Sequence, residues 1–123
     1  MEITHFHKNL DEKEEREFNE YVDTKMDAIR NLLTKFSEDS VLLKISIEKF
    51  EKHDAYEVEF HLSLPSKSMV ATEASHSINK AVDLSKDRLI TQIKKHKAHL
   101  RKERSHQSIR TEQPEAVAEK VEV

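Results

Sequence analysis

The sequence predicts an α+β protein in which two helices pack on one face of a four-stranded sheet, in the order β-α-β-β-β-α. Three observations lead there. Segments between residues 41 and 74 alternate apolar and polar side chains with the period of two that marks a half-buried strand. Two longer segments, 12–36 and 77–104, repeat their apolar residues at the spacing of an amphipathic helix. Each element thus has one apolar face to cover, and a two-layer sandwich covers all of them at once.

Residues 2–8, EITHFHK, read as the first strand. Asp11 is placed as an N-cap, with Glu14 three residues later as in a capping box. Phe18, Val22, Met26, Ile29, Leu33 and Phe36 then recur at helical spacing, which predicts a helix over 12–36. The polar stretch 37–40, SEDS, breaks it. In 41–50, VLLKISIEKF, Leu43, Ile45 and Ile47 alternate with Lys44, Ser46 and Glu48, which predicts a strand with one buried face. Residues 51–54 form a polar turn.

The stretch 55–64, AYEVEFHLSL, alternates most cleanly, with Tyr56, Val58, Phe60, Leu62 and Leu64 on one face. Pro65, Ser66 and Lys67 turn the chain into a last strand, 68–74. The outer sheet face is expected to display Lys44, Glu48, Glu57, Glu59 and His61. Ser77 is a plausible N-cap for the second helix. Along that helix Ile78, Val82, Ser85, Leu89, Ile93, His96 and Leu100 form a narrow stripe flanked by Ala81 and Gln92. Residues 105–123 lose the pattern and carry Pro114. The reading therefore divides the chain into an α+β domain, 1–104, and a flexible, mildly acidic tail, 105–123.

Composition narrows the function. A chain of 123 residues is one domain's worth. Glycine is absent, which removes any P-loop or dinucleotide fingerprint. Cysteine is absent too, so disulfides, thiolate metal sites and cysteine nucleophiles are excluded. The N-terminus lacks a basic start and an apolar signal core, and no apolar run approaches the roughly 20 residues of a membrane span. A soluble, cytoplasmic protein is expected.

The overall charge of −3 conceals a strong asymmetry. Residues 88–104, RLITQIKKHKAHLRKER, carry seven cations: Arg88, Lys94, Lys95, Lys97, Arg101, Lys102 and Arg104. Glu103 is their single acid, so this stretch is net +6 and the remaining 106 residues net −9. Stretch 11–20 holds six acids against two bases, which suits the first turn of a helix. With Leu89 at 0° and about 100° per residue, Arg88 falls at about −100°, Lys95 at about −120° and Lys102 at about −140°. Lys97 falls at about 80°, Arg101 at about 120° and Lys94 at about 140°. The cations flank the apolar stripe with almost no local acid to pair with. A helix held by its own salt bridges would interleave both signs, so the pattern points to a polyanion partner.

RNA phosphates suit the helix better than a membrane, because its apolar stripe is needed by the sheet and Trp is absent. A duplex would be read by shape and backbone, with steep salt dependence. The outer sheet face lacks paired aromatics for stacking bases. His96 and His99, and His5 and His7, raise the possibility of a metal site. Without an HExxH pattern the reading is that His96 packs in the core stripe and the others are solvated, with no metal and no cofactor. No nucleophile elbow supports catalysis, so neither an enzyme nor a small-molecule substrate is expected.

The second helix, Arg88-Leu89-x-x-Gln92-Ile93-x-Lys95-His96-Lys97-x-x-Leu100, resembles the closing helix of the short ribosome hibernation-promoting factors and ribosome-associated inhibitors. Asp83 after Ala81-Val82 also matches. Tyr21-Val22-x-x-Lys25 resembles the family's first helix, and Ile47-Glu48-Lys49 with Asp54-Ala55 its second strand and turn. The resemblance spans residues 2–104. It implies a fold similar to double-stranded RNA-binding domains, and binding to the small ribosomal subunit near the decoding centre. There such a protein blocks messenger and transfer RNA in stress or stationary phase. It places basic residues at Lys25, Arg88, Lys95 and Lys97. This sequence has Ala28, Thr91 and His99 where the family usually has further cations, Asn79 in place of a tyrosine, and no glycine in the first strand. Lys94 and Arg101 offer electrostatic compensation. The resemblance also implies that the dimerisation domain of long members is absent and that 105–123 corresponds to the short acidic tail of the inhibitor type.

The expectation is a short-form hibernation factor anchored on ribosomal RNA backbone by Lys25, Arg88, Lys94, Lys95, Lys97, Arg101, Lys102 and Arg104. The alternatives are a general double-stranded RNA-binding module acting away from the ribosome, and an adaptor whose basic helix docks an acidic protein.

Overall fold

The structure, a computed structural model, describes the backbone of residues 1–112 and the side chains of residues 1–102. The elements run β1 (Glu2–Lys8), α1 (Glu12–Leu32), β2 (Leu42–Phe50), β3 (Ala55–Ser63), β4 (Ser68–Ser75) and α2 (Ile78–Glu112), with 3₁₀ turns at Glu38–Ser40 and Glu51–His53. The chain divides into two compact units, Met1–Gln92 and a second beginning at Ile93. The first contains the whole sheet, α1 and the opening turns of α2. The order β-α-β-β-β-α and the α+β class are those the sequence predicts.

The sheet is mixed. Its spatial order is β1-β2-β3-β4, with β1 parallel to β2 and the other neighbours antiparallel. The parallel pair follows from α1, which returns the chain to the starting edge before β2 begins. Register makes the inner face legible row by row: Ile3, Leu43, Leu62 and Met69 lie abreast, then His5, Ile45, Phe60 and Ala71, then His7, Ile47, Val58 and Glu73. Leu43, Ile45, Ile47, Val58, Phe60, Leu62, Met69 and Ala71 are all buried. So are Phe18, Val22, Met26 and Ile29 of α1, and Ile78, Ala81, Val82 and Leu89 of α2. Each large apolar side chain removed from water contributes about 1.5–3 kcal/mol, so this core outweighs any surface ion pair.

The one polar member of the α2 stripe in this unit is Ser85, fully buried, whose Oγ donates to the Val58 carbonyl at 2.8 Å. A residue this small lets α2 approach β3 closely, and its hydroxyl finds an acceptor with a spare lone pair. The helix starts match expectation. Asp11 accepts from the Glu14 backbone N–H at 2.8 Å, while the Glu14 side chain accepts from the Asp11 N–H at 3.0 Å. The Ser77 Oγ accepts from the Lys80 N–H at 3.3 Å.

Without glycine, left-handed backbone falls to the residues that tolerate it best. Asn9 (φ 66°) turns β1 into α1, and Asp54 (φ 48°) closes the β2–β3 turn. The Asn9 amide also donates to the Lys49 carbonyl at 3.3 Å.

Three expectations are corrected. First, α1 ends at Leu32, not 36: the Leu33 N–H bonds back to the Arg30 carbonyl and the Phe36 N–H to the Leu33 carbonyl. Successive i→i+3 turns place residues three apart on one side, a spacing that an amphipathic helix also uses, so Leu33 and Phe36 keep it after the helix has stopped. Second, α2 is helical through Glu112, past the expected 104. Nothing in 105–112 breaks a helix, and Pro114 is the first residue that would. Residues 113–123, the rest of the expected tail, lie outside the described residues.

Third, His5 and His7 are half-buried, where solvated side chains are expected. Both point inward, their rings edge-on to Phe18 at 6.2 and 5.6 Å, and His7 Nε2 lies 3.0 Å from Asn19 Oδ1. The strand alternation assigns them this face, and their aromatic rings satisfy it as apolar surfaces. Burial pushes the His5 pKa below its ordinary value, Asp23 partly opposing and His7 adding to the shift.

Candidate nucleic-acid interface

In the first unit, two of the expected cations are already paired. Arg88 on α2 reaches the Glu73 carboxylate of β4 at 2.6 Å, although the arginine side chain is 59% exposed. Glu73 closes the inner row at the sheet edge, its side chain one-third exposed. Lys25 on α1 lies 3.6 Å from Asp83 on α2 and 4.8 Å above the Tyr21 ring. The Tyr21 hydroxyl donates to the same Asp83 carboxylate at 2.7 Å. Tyr21 raises the Lys25 pKa most and Asp83 raises it further, against the opposing effect of desolvation. The cluster brings together the residues of the family resemblance, Tyr21, Lys25 and Asp83, from two distant segments. In the free protein Lys25 ties α1 to α2 as well as presenting charge.

In the second unit, residues 93–102 carry five cations and no acid. Ile93 and His96 are buried. Lys94, Lys95, Arg101 and Lys102 are exposed, and none forms an ion pair among the described residues. Lys97 is partly covered and engaged with its surroundings. The side chain of Arg104 lies outside the described residues.

Helical geometry explains this division. Lys94, Lys95, Arg101 and Lys102 all fall in the sector about 120° wide that lies opposite Leu89. Arg88 and Lys97, at about −100° and 80°, sit beside the buried stripe, where neighbouring groups reach them. The exposed four form two i, i+7 pairs, Lys94 with Arg101 and Lys95 with Lys102, each spanning about 10 Å along the axis. Such a surface suits phosphate: three of its four cations are lysine ammonium groups, point charges on flexible stems that carry no directional pattern for reading bases.

A further network was not foreseen from sequence. The Glu14 carboxylate accepts from Tyr56 of β3 at 2.5 Å and from Lys49 of β2 at 3.0 Å. The Tyr56 hydroxyl, the Asp11 backbone N–H and Lys49 hold the Glu14 pKa down at about 2, and Glu14 pushes Tyr56 up to about 12. The capping-box spacing identified Glu14, but nothing local marked its partners 35 and 42 residues away. Among the described residues no group of three His, Asp or Glu is placed to hold a metal.

The fold and this helix define a small α+β domain that carries a concentrated, acid-free run of cations. More particularly, residues 8–101 match the family described as Sigma 54 modulation protein / S30EA ribosomal protein, and the chain belongs to it. This is the hibernation-promoting factor family that the second helix resembles. The fold is similar to the Protein Y N-terminal domain of Thermus thermophilus, with a TM-score of 0.59 at 22% identity over 78% of this chain and 99% of that one. It is also similar to a ribosomal subunit interface protein from Coxiella burnetii, with a TM-score of 0.58 at 24% identity over 80% and 99%. At these identities the likeness is one of fold. No curated protein matches the chain.

Proposed function

We propose that this protein is a ribosome hibernation factor. It binds the small ribosomal subunit near the decoding centre through ribosomal RNA backbone, and its bulk excludes messenger and transfer RNA in stress or stationary phase. The observation that carries this reading is the run 93–102, five cations without an acid, four of them exposed and without ion pairs among the described residues. Membership of a ribosomal protein family and a fold shared with a ribosomal subunit interface protein support a ribosomal partner.

The mechanism requires binding and volume only, with no reaction or cofactor. Lys94, Lys95, Arg101 and Lys102 anchor the phosphate backbone, joined by Lys97 and Arg104 along the same helix. Lys25 and Arg88 exchange carboxylate for phosphate at the periphery, an exchange made easy by the small net value of exposed ion pairs. The protein acts in the cytoplasm, where its partner is; no helix among the described residues is long and apolar enough to cross a membrane.

Pelleting with purified small subunits over a salt titration tests the proposal. Four to eight phosphate contacts should give a log–log slope of about −3 to −7. Messenger and initiator transfer RNA should displace the protein. Salt-independent pelleting, or indifference to both competitors, would overturn it; the second result would favour a general double-stranded RNA binder.

A further inference from the structure

The outer face of the sheet carries a cost that the isolated protein relieves only in part. Glu48 and Glu57 are direct cross-strand partners between β2 and β3, and Glu59 lies diagonally across from Glu48 on the same face. Like charges so placed destabilise a strand pair. The cation paired with this triplet is Lys8, 3.7 Å from Glu48 and itself 70% exposed. Beside the acids stands Phe6, 50% exposed in the middle of β1, with Leu42 and Val70 about as open. Phe6 forms a ridge between two shallow hollows. One, of about 380 Å³, is walled by the three carboxylates; the other, of about 320 Å³, by Leu42, Lys44 and His61.

We propose that this face docks an extended basic protein segment. Its Lys or Arg side chains lie over Glu48, Glu57 and Glu59, and its apolar side chains cover Phe6 and Leu42. Charge complementarity selects this occupant. The carboxylates repel RNA phosphate. A second copy joined through the same face would set one acidic triplet against another. Residues 113–123 carry three Glu against one Lys and have the wrong sign. An arginine-rich strand supplies cations for Glu57 and Glu59, which Lys8 leaves unpaired, and apolar cover for Leu42 and for the part of the Phe6 ring that Lys44, 5.5 Å from its centroid, does not cover.

The probe is a fluorescein-labelled peptide alternating Arg with Leu and Thr, titrated into the full chain, with a Glu-for-Arg peptide as control. Anisotropy should report saturable binding of the Arg peptide alone, and amide resonances of Phe6, Ser46, Glu57 and Glu59 should shift. Glu57→Lys with Glu59→Lys should weaken binding at least tenfold, and Phe6→Ser about threefold. Glu57→Gln with Glu59→Gln keeps the side-chain shape. It should weaken binding about threefold while raising the melting temperature of the free protein, as relief of like-charge repulsion requires. Equal affinity for the charge-reversed or the glutamine variant would overturn the proposal. So would resonance shifts confined to other faces, self-association through these residues, or the same resonances moving with single-stranded RNA.

Discussion

Tyr21 of α1 donates its phenolic hydrogen to Asp83 of α2 across 2.7 Å, joining positions 62 apart in the chain. With Lys25 on the other carboxylate oxygen, Asp83 is held from two sides by one helix. Residues that resemble a ribosome-binding family thus have a part in holding the fold together as well as any part in contacting RNA.

Tyr21→Phe removes the hydroxyl and leaves Asp83 to Lys25 alone. A hydrogen bond to a charged, partly covered group is worth about 1–2 kcal/mol. The melting temperature should fall by about 4–10 °C for a domain of this size. Thermal unfolding followed by circular dichroism measures it, and a change within 1 °C would remove the bond's assigned role.

Glu14 makes stability depend on acid. Its folded pKa, about 2, lies below the ordinary carboxylate value of 4.5 because Tyr56, the Asp11 N–H and Lys49 all favour the ionised form. The folded state therefore binds this proton less readily than the unfolded one. The contribution is fully present above pH 4.5 and is lost as pH falls from there to about 2. Urea unfolding at pH 7, 4 and 2 should show Glu14→Gln less stable at pH 7 and the two proteins converging at pH 2. Parallel curves would refute the assignment.

Ser85 sets how closely α2 lies on β3. Ser85→Ala should cost about 1 kcal/mol, the worth of one buried hydrogen bond. Ser85→Leu should cost about 1–3 kcal/mol or more by overpacking. Chemical denaturation orders the two; a leucine variant as stable as wild type would show that the contact is looser than the 2.8 Å bond implies.

On the proposed RNA surface the cations should differ by their position on α2. Lys95→Glu with Lys102→Glu reverses two exposed charges that lack ion pairs among the described residues. It should weaken small-subunit binding more than tenfold and reduce the salt slope by about 2. Arg88→Gln, which removes a cation already bonded to Glu73, should cost less than threefold. Pelleting assays on both variants decide the point, and an equal loss would mean that Arg88 leaves Glu73 and contacts RNA as strongly as the exposed lysines.

The sequence alone determined the class, the element order and nearly every buried position, because periodicity and capping are local. Period two marked Leu43, Ile45, Ile47, Val58, Phe60 and Leu62 as inward; period 3.6 marked Phe18, Val22, Met26, Ile29, Val82 and Leu89; Asp11 with Glu14 marked a helix start. The acid-free run on the second helix was equally plain, since it is a matter of composition. What only the tertiary structure decided was partnership. Tyr21 with Asp83, Glu14 with Tyr56 and Lys49, and Glu73 with Arg88 each join residues that no repeat relates, because a charged side chain looks the same in sequence whether it faces water or another element. The helix end at Leu32 was hidden because the i→i+3 turns at Leu33 and Phe36 keep a spacing that a helix also allows. His5 and His7 were misjudged because a polar residue type stood at an inward strand position, and only the Phe18 ring seated against them shows why that face accepts them.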